Sequence, residues 1–130
     1  MGFVIDFDAG NRLLRVTVKG NLDDEILLHA YESIERYVAS HPPCRGLVDL
    51  SAVTKFEVSS KGVRALARRP PAIPHGEMRI VVAPLDSVYG MARMFQILGE
   101  LTRPDLHVVR TVEEAFRLLQ VESPEFRIID

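Results

Sequence analysis

Chemistry in a protein needs nucleophiles, titratable groups or metal ligands at workable spacing, and this chain of 130 residues offers few. Its four histidines, His29, His41, His75 and His107, fall on four different segments with no ligand spacing among them. Zinc, calcium and metalloprotease patterns are absent, and so are a P-loop, a glycine-rich dinucleotide turn and a serine elbow. Cys44, the single cysteine, follows Pro42-Pro43 at the entry to an apolar run, where a small buried thiol is expected and no adjacent base is visible. Asp6 and Asp8 occupy alternating outward positions of a hairpin, within reach of Arg15 and Lys19 across the strands, while Asp23 and Asp24 suit the positive end of a helix. The sequence therefore predicts no catalytic residue, no metal and no cofactor, and points to binding rather than catalysis.

Two groups are better suited to binding. Lys61, Arg64 and Arg68 recur at helical spacing and make one basic stripe, which is either a solvated face or a docking patch for an acidic partner. Tyr89, Met91, Met94 and Phe95 lie along a later helix that also carries Gly90 and Gly99. Glycine is costly inside a helix, by about 1 kcal/mol against alanine, so close packing or an adjoining ligand is expected there. These four residues are the candidate border of an apolar ligand pocket between sheet and helices.

The elements that must position these residues follow from periodicity. Alternation over residues 3–8 and 12–19, broken by Ala9-Gly10-Asn11, reads as a hairpin. The acidic run Asp23-Asp24-Glu25 then opens a helix whose Leu27, Ala30, Ile34 and Val38 face inward, stopped by Pro42-Pro43. Residues 46–50 form a buried strand, and a loop through Ser51–Val58 leads to a helix from Ser59 or Ser60 that ends before Pro70. A strand over 78–83, a helix opened by Pro84-Leu85-Asp86-Ser87 and a strand over 106–110 complete the alternation. Thr111 and Glu114 then form a capping box for the last helix. The order ββαβαβαβα predicts an α/β domain over residues 1–122 with a mixed five-stranded sheet, one member antiparallel, and a C-terminal tail over 123–130.

From Gly46 to Ala67 the chain resembles the STAS domains, the family of anti-sigma-factor antagonists and of sulfate-transporter cytoplasmic tails. Asp49-Leu50-Ser51-Ala52-Val53 matches the end of the family's central strand, and Ser59, Ser60 and Gly62 approximate its serine-rich helix start. The helix Val88-Tyr89-Gly90-Met91-Ala92-Arg93-Met94-Phe95 is similar to that of the SpoIIAA-like branch of bacterial proteins, some likened to CRAL-TRIO lipid-binding domains. The resemblance implies a single STAS-like fold, a regulatory domain that binds a protein partner, and a phosphorylated serine at the second helix start. Glu57 stands where the family has Asp and Val58 where it has the modified serine, so Ser59 and Ser60 are the candidate phosphoacceptors. Thr54, Lys55, Phe56, Lys61, Arg64 and Arg68 are the candidate partner-contact surface.

Composition narrows the partners further. With 47% hydrophobic residues, a formal charge of -2 and no Trp, the chain has neither the basic field nor the stacking surface expected of a nucleic-acid binder. No apolar run reaches membrane-spanning length, and the amino terminus lacks a secretory pattern, so a cytoplasmic protein without membrane insertion is expected. A homodimer is the oligomer to expect if there is one.

Overall fold

The computed structural model describes residues 2–73 and 76–129. Strands β1 (Phe3–Asp8) and β2 (Leu13–Asp23) pair antiparallel, from Phe3 opposite Val18 to Asp8 opposite Leu13. There follow α1 (Asp24–Ala39), β3 (Arg45–Glu57), α2 (Ser60–Ala67), β4 (Arg79–Val82), α3 (Asp86–Leu98), β5 (Leu106–Val109), α4 (Val112–Leu119) and β6 (Arg127–Ile128). The sheet order is β5-β4-β3-β2-β1-β6. Strands β2 to β5 are parallel, and β1 runs against both of its neighbours.

Topology dictates where the helices go. Three crossovers of one hand, each stepping one strand further along the sheet, put α1, α2 and α3 on the same face. The chain then returns to the opposite edge, and α4 packs across the other face. The central strands alternate accordingly: Ile80 and Val82 join Leu13, Leu47, Ala115 and Leu119 on the α4 side, while Val81 packs with Leu50, Val88 and Ala92 on the other. Such strands carry apolar side chains on both faces, which is why β4 reads as an unbroken apolar run after Arg79.

Three sequence expectations need correction. The sheet has six strands among the described residues, not five, because Arg127 and Ile128, within the stretch expected to be tail, pair with Phe7 and Asp6. Two residues are too few to show an alternating pattern. The loop expected through Ser51–Val58 is strand as far as Glu57, because β2 also runs on to Asp23 and supplies a partner. Finally, Asp6 and Asp8 are 7% and 3% exposed rather than outward-facing. The C-terminal segment covers them: Phe126 lies 3.7 Å from the Arg15 guanidinium, and the Glu125 amide donates to Asp8.

Beyond Asp49, β3 leaves β4 behind and pairs with β2 alone. The two-stranded arm has register shifts between Thr17 and Lys19 and between Gly20 and Asn21, each giving β3 one extra residue. At the first shift the Asp49 carboxylate accepts the Ser51 amide at 2.9 Å, occupying a donor displaced from the ladder. Gly20, with φ of +75°, provides the left-handed turn at the second. Because the arm strands are parallel, they deliver the starts of α1 and α2 side by side.

Candidate functional site

Between the sheet and the three helices of one face lies a cavity of about 130 Å³. Helix α1 contributes Leu27, Ala30, Tyr31 and Ile34 to its wall; α2 contributes Val63 and Leu66; α3 contributes Met91, Ala92 and Phe95. The floor is β-sheet, including Val48, Leu50 and Val81. Helix α2 explains why the space stays open. It has only eight residues, and of these only Val63 and Leu66 are buried. At the far end Ile73 descends over Gly46, where a Cβ would stand 3.2 Å from its side chain.

Two arginines stand among the lining residues of this apolar space. Arg79, the first residue of β4, and Arg103, before β5, both line it, at 7% and 4% exposure. Their surroundings differ. Arg103 donates to the carbonyls of Ala67 and Arg69 at 3.1 and 2.8 Å and so holds the C-terminal end of α2, while its guanidinium packs on the Phe95 ring. The hydroxyl of Tyr31 donates to the carbonyl of Pro70 nearby. Arg79 makes one bond, from Nη1 to the Ile73 carbonyl at 3.2 Å, and its buried Nε and Nη2 have no partner among the described residues. A buried donor left unmet costs about 1–3 kcal/mol, more when it is charged.

No carboxylate forms an ion pair with either arginine among the described residues. Burial lowers the pKa of Arg79, and the charge of Arg103 lowers it further, against the weaker pull of Asp105. Burial likewise lowers that of Arg103, with Tyr31 opposing. Both guanidinium groups are thus buried cations, with Asp105 acting on Arg79 from a distance.

The second cluster is at the start of α2. Ser59 caps that helix: its Oγ accepts the Gly62 amide at 2.9 Å and donates to Asp24 Oδ2 at 2.6 Å. Asp24 Oδ1 accepts the Ser59 amide at 2.8 Å. A carboxylate from the start of α1 therefore occupies the positive end of α2. Ser60 is exposed, as are Thr54, Lys55, Lys61, Arg64 and Arg68, with Phe56 half-buried. Of the residues named from sequence as a contact surface, Thr54, Lys55 and Phe56 lie on the arm, Lys61 and Arg64 on α2 and Arg68 at its C-cap.

Of the four residues expected to border a pocket, Met91 and Phe95 do so. Tyr89 and Met94 are not in the wall, and Tyr89 instead packs under the Arg110 guanidinium at 3.9 Å. Close packing expected at Gly90 is not found, since a Cβ there would meet nothing within 4 Å, and Gly99 is the C-cap of α3 rather than an interior residue. Cys44 is buried, which pushes its thiol pKa up, with Glu77 adding to the effect, opposite to what a nucleophile needs. No group of three metal-ligating side chains occurs among the described residues, and His75 lies outside them. Sequence reading missed Arg79 and Arg103 altogether. The visible signal was an arginine heading the apolar run Arg79-Ile80-Val81-Val82.

The chain matches no protein-family model and no curated protein. No helix among the described residues is long and apolar enough to cross a membrane.

Proposed function

We propose that this is a non-enzymatic binding domain of the STAS or SpoIIAA-like type, cytoplasmic, whose ligand is a small apolar molecule held between the sheet and α1, α2 and α3. The cavity carries this reading. A concave, largely apolar pocket between packed elements is the usual kind of place for a small ligand. A space of about 130 Å³ is comparable with the engineered apolar cavity of about 150 Å³ that binds benzene. The test is thermal unfolding with and without toluene, in the native chain and in Ala92→Leu, which fills the space. Toluene should raise the midpoint of the native chain and leave the filled variant unmoved. A midpoint insensitive to toluene in both would contradict the reading.

A second reading, docking of a protein partner on α2, is favoured by one observation. Lys61, Arg64 and Arg68 are exposed and form no ion pair among the described residues. Reversing Lys61 and Arg64 to Glu should then abolish recovery of an acidic partner from the host without altering the toluene response.

A further inference from the structure

Helix α2 and its C-cap carry Lys61, Arg64 and Arg68 at positions i, i+3 and i+7, exposed and without an ion pair among the described residues. Helix α1 repeats that spacing with the opposite sign: Glu25, Leu28 and Glu32 stand at i, i+3 and i+7, with Glu35 next along the same face. Glu25 is exposed and has no ion pair among the described residues, and Leu28 is 38% exposed. Glu32 and Glu35 share one cation, Arg69, at 3.9 and 3.8 Å. Residues so spaced follow one face of a helix, so α1 presents an acidic stripe and α2 a basic one.

The fold sets the two stripes side by side and in step. Helices α1 and α2 follow the parallel strands β2 and β3 and return along the same sheet face, so they run in one direction. Asp24 and Ser59, joined by hydrogen bonds of 2.8 and 2.6 Å, hold their starts together. With the same rise per residue along both helices, Glu25 stands about level with Lys61, Leu28 with Arg64 and Glu32 with Arg68.

We propose that α1 and α2 together form a docking surface for a second copy of this chain, with α1 of each copy lying along α2 of the other. This rests on the reading of α2 as a docking surface and names its acidic partner. A two-fold axis parallel to the helices and midway between them sets α1 over α2 twice, so one acid-base contact forms in two places and closes the pair. Glu25 and Glu32 then meet Lys61 and Arg68, and Leu28 covers the aliphatic stem of Arg64. An axis across the helices would instead oppose α1 to α1 and α2 to α2, setting like charges together. Two helices from each copy make a small interface, so the pair belongs to the weak, salt-sensitive class.

Sedimentation equilibrium of the full chain at concentrations up to about 1 mM should show monomer and dimer, with a dissociation constant that rises roughly tenfold from low to high salt. A chain with Lys61→Glu and Arg68→Glu, and another with Glu25→Lys and Glu32→Lys, should each be monomeric alone, because their stripes then carry one sign. Mixed, these two chains should form a heterodimer, and a chain with all four substitutions should dimerise with itself again. Misfolding cannot imitate either recovery. A native chain that stays monomeric at low salt, reversed chains that still dimerise alone, or folded reversed chains that fail to pair when mixed would overturn the proposal. If the native chain is monomeric yet retains an acidic host partner that the Lys61 and Arg64 reversal releases, only the second copy falls as occupant. If no such partner is retained either, the reading of α2 as a docking surface falls with it.

Discussion

At the scale of single residues, two buried charges behave in opposite ways. Asp8 is well served: its carboxylate accepts the amide and side chain of Asn11 at 3.2 and 2.7 Å and the Glu125 amide at 3.3 Å. Burial alone would raise its pKa, but these bonds outweigh it and hold the group below its ordinary 3.8. A depressed carboxylate contributes stability that is complete above its unfolded value and lost as pH falls through the folded one. The stability gap between the native chain and Asp8→Asn should therefore be constant above about pH 5 and shrink towards about pH 2 in urea titrations at stepped pH. A gap that widens on acidification would contradict it. Arg79 is badly served, so Arg79→Met should stabilise the ligand-free chain by about 1–2 kcal/mol in urea unfolding, because methionine keeps the aliphatic stem and removes the unmet donors. Loss of stability on that substitution would mean the guanidinium is already satisfied. Neither environment was legible in the sequence. Asp8 reads as an outward strand position, yet Asn11 and the Glu125 amide of the returning C-terminal segment close over its carboxylate.

At the scale of elements, the paired helix starts are the most informative feature. Helical periodicity and start signals were enough to place α1, α2, α3 and α4, and Thr111 accepts the Glu114 amide at 3.1 Å, one half of the expected capping box. The arm was not legible, because the extra residues of β3 shift its pattern out of phase with a regular strand. Without the arm there is no reason to join Asp24 to Ser59, 35 residues apart. The consequence is testable at Gly62, where an added Cβ would overlap the Asp24 carboxylate. Gly→Ala inside a helix normally gains about 1 kcal/mol. Here Gly62→Ala should instead destabilise by roughly 1 kcal/mol, since it expels Asp24 from two hydrogen bonds. In an Asp24→Ala background the same change should become stabilising. Denaturation of the four chains of that cycle checks the reversal, and equal effects in both backgrounds would refute it. The same contact bears on Ser59 as a phosphoacceptor: a phosphate there would meet Asp24 and force the two helix starts apart.

At the scale of the whole molecule, the order of elements was legible and the cavity was not. Right-handed crossovers and apolar central strands follow from sequence pattern, and the general α/β architecture with a mixed sheet agrees with them. A pocket between elements belongs to no segment. It arises where a short α2, bearing two buried apolar side chains, spans a gap between α1 and α3, and only tertiary packing reveals the shortfall. The proposed ligand of this space is a small apolar molecule. A methyl-resolved NMR titration with toluene tests it most directly, because the two apolar cores serve as each other's control. Saturable shifts are expected at Leu27, Leu50, Val63 and Met91, with Leu13, Val109 and Ala115 on the α4 side unmoved. Shifts that never saturate, or that spread equally over both faces, would contradict the account.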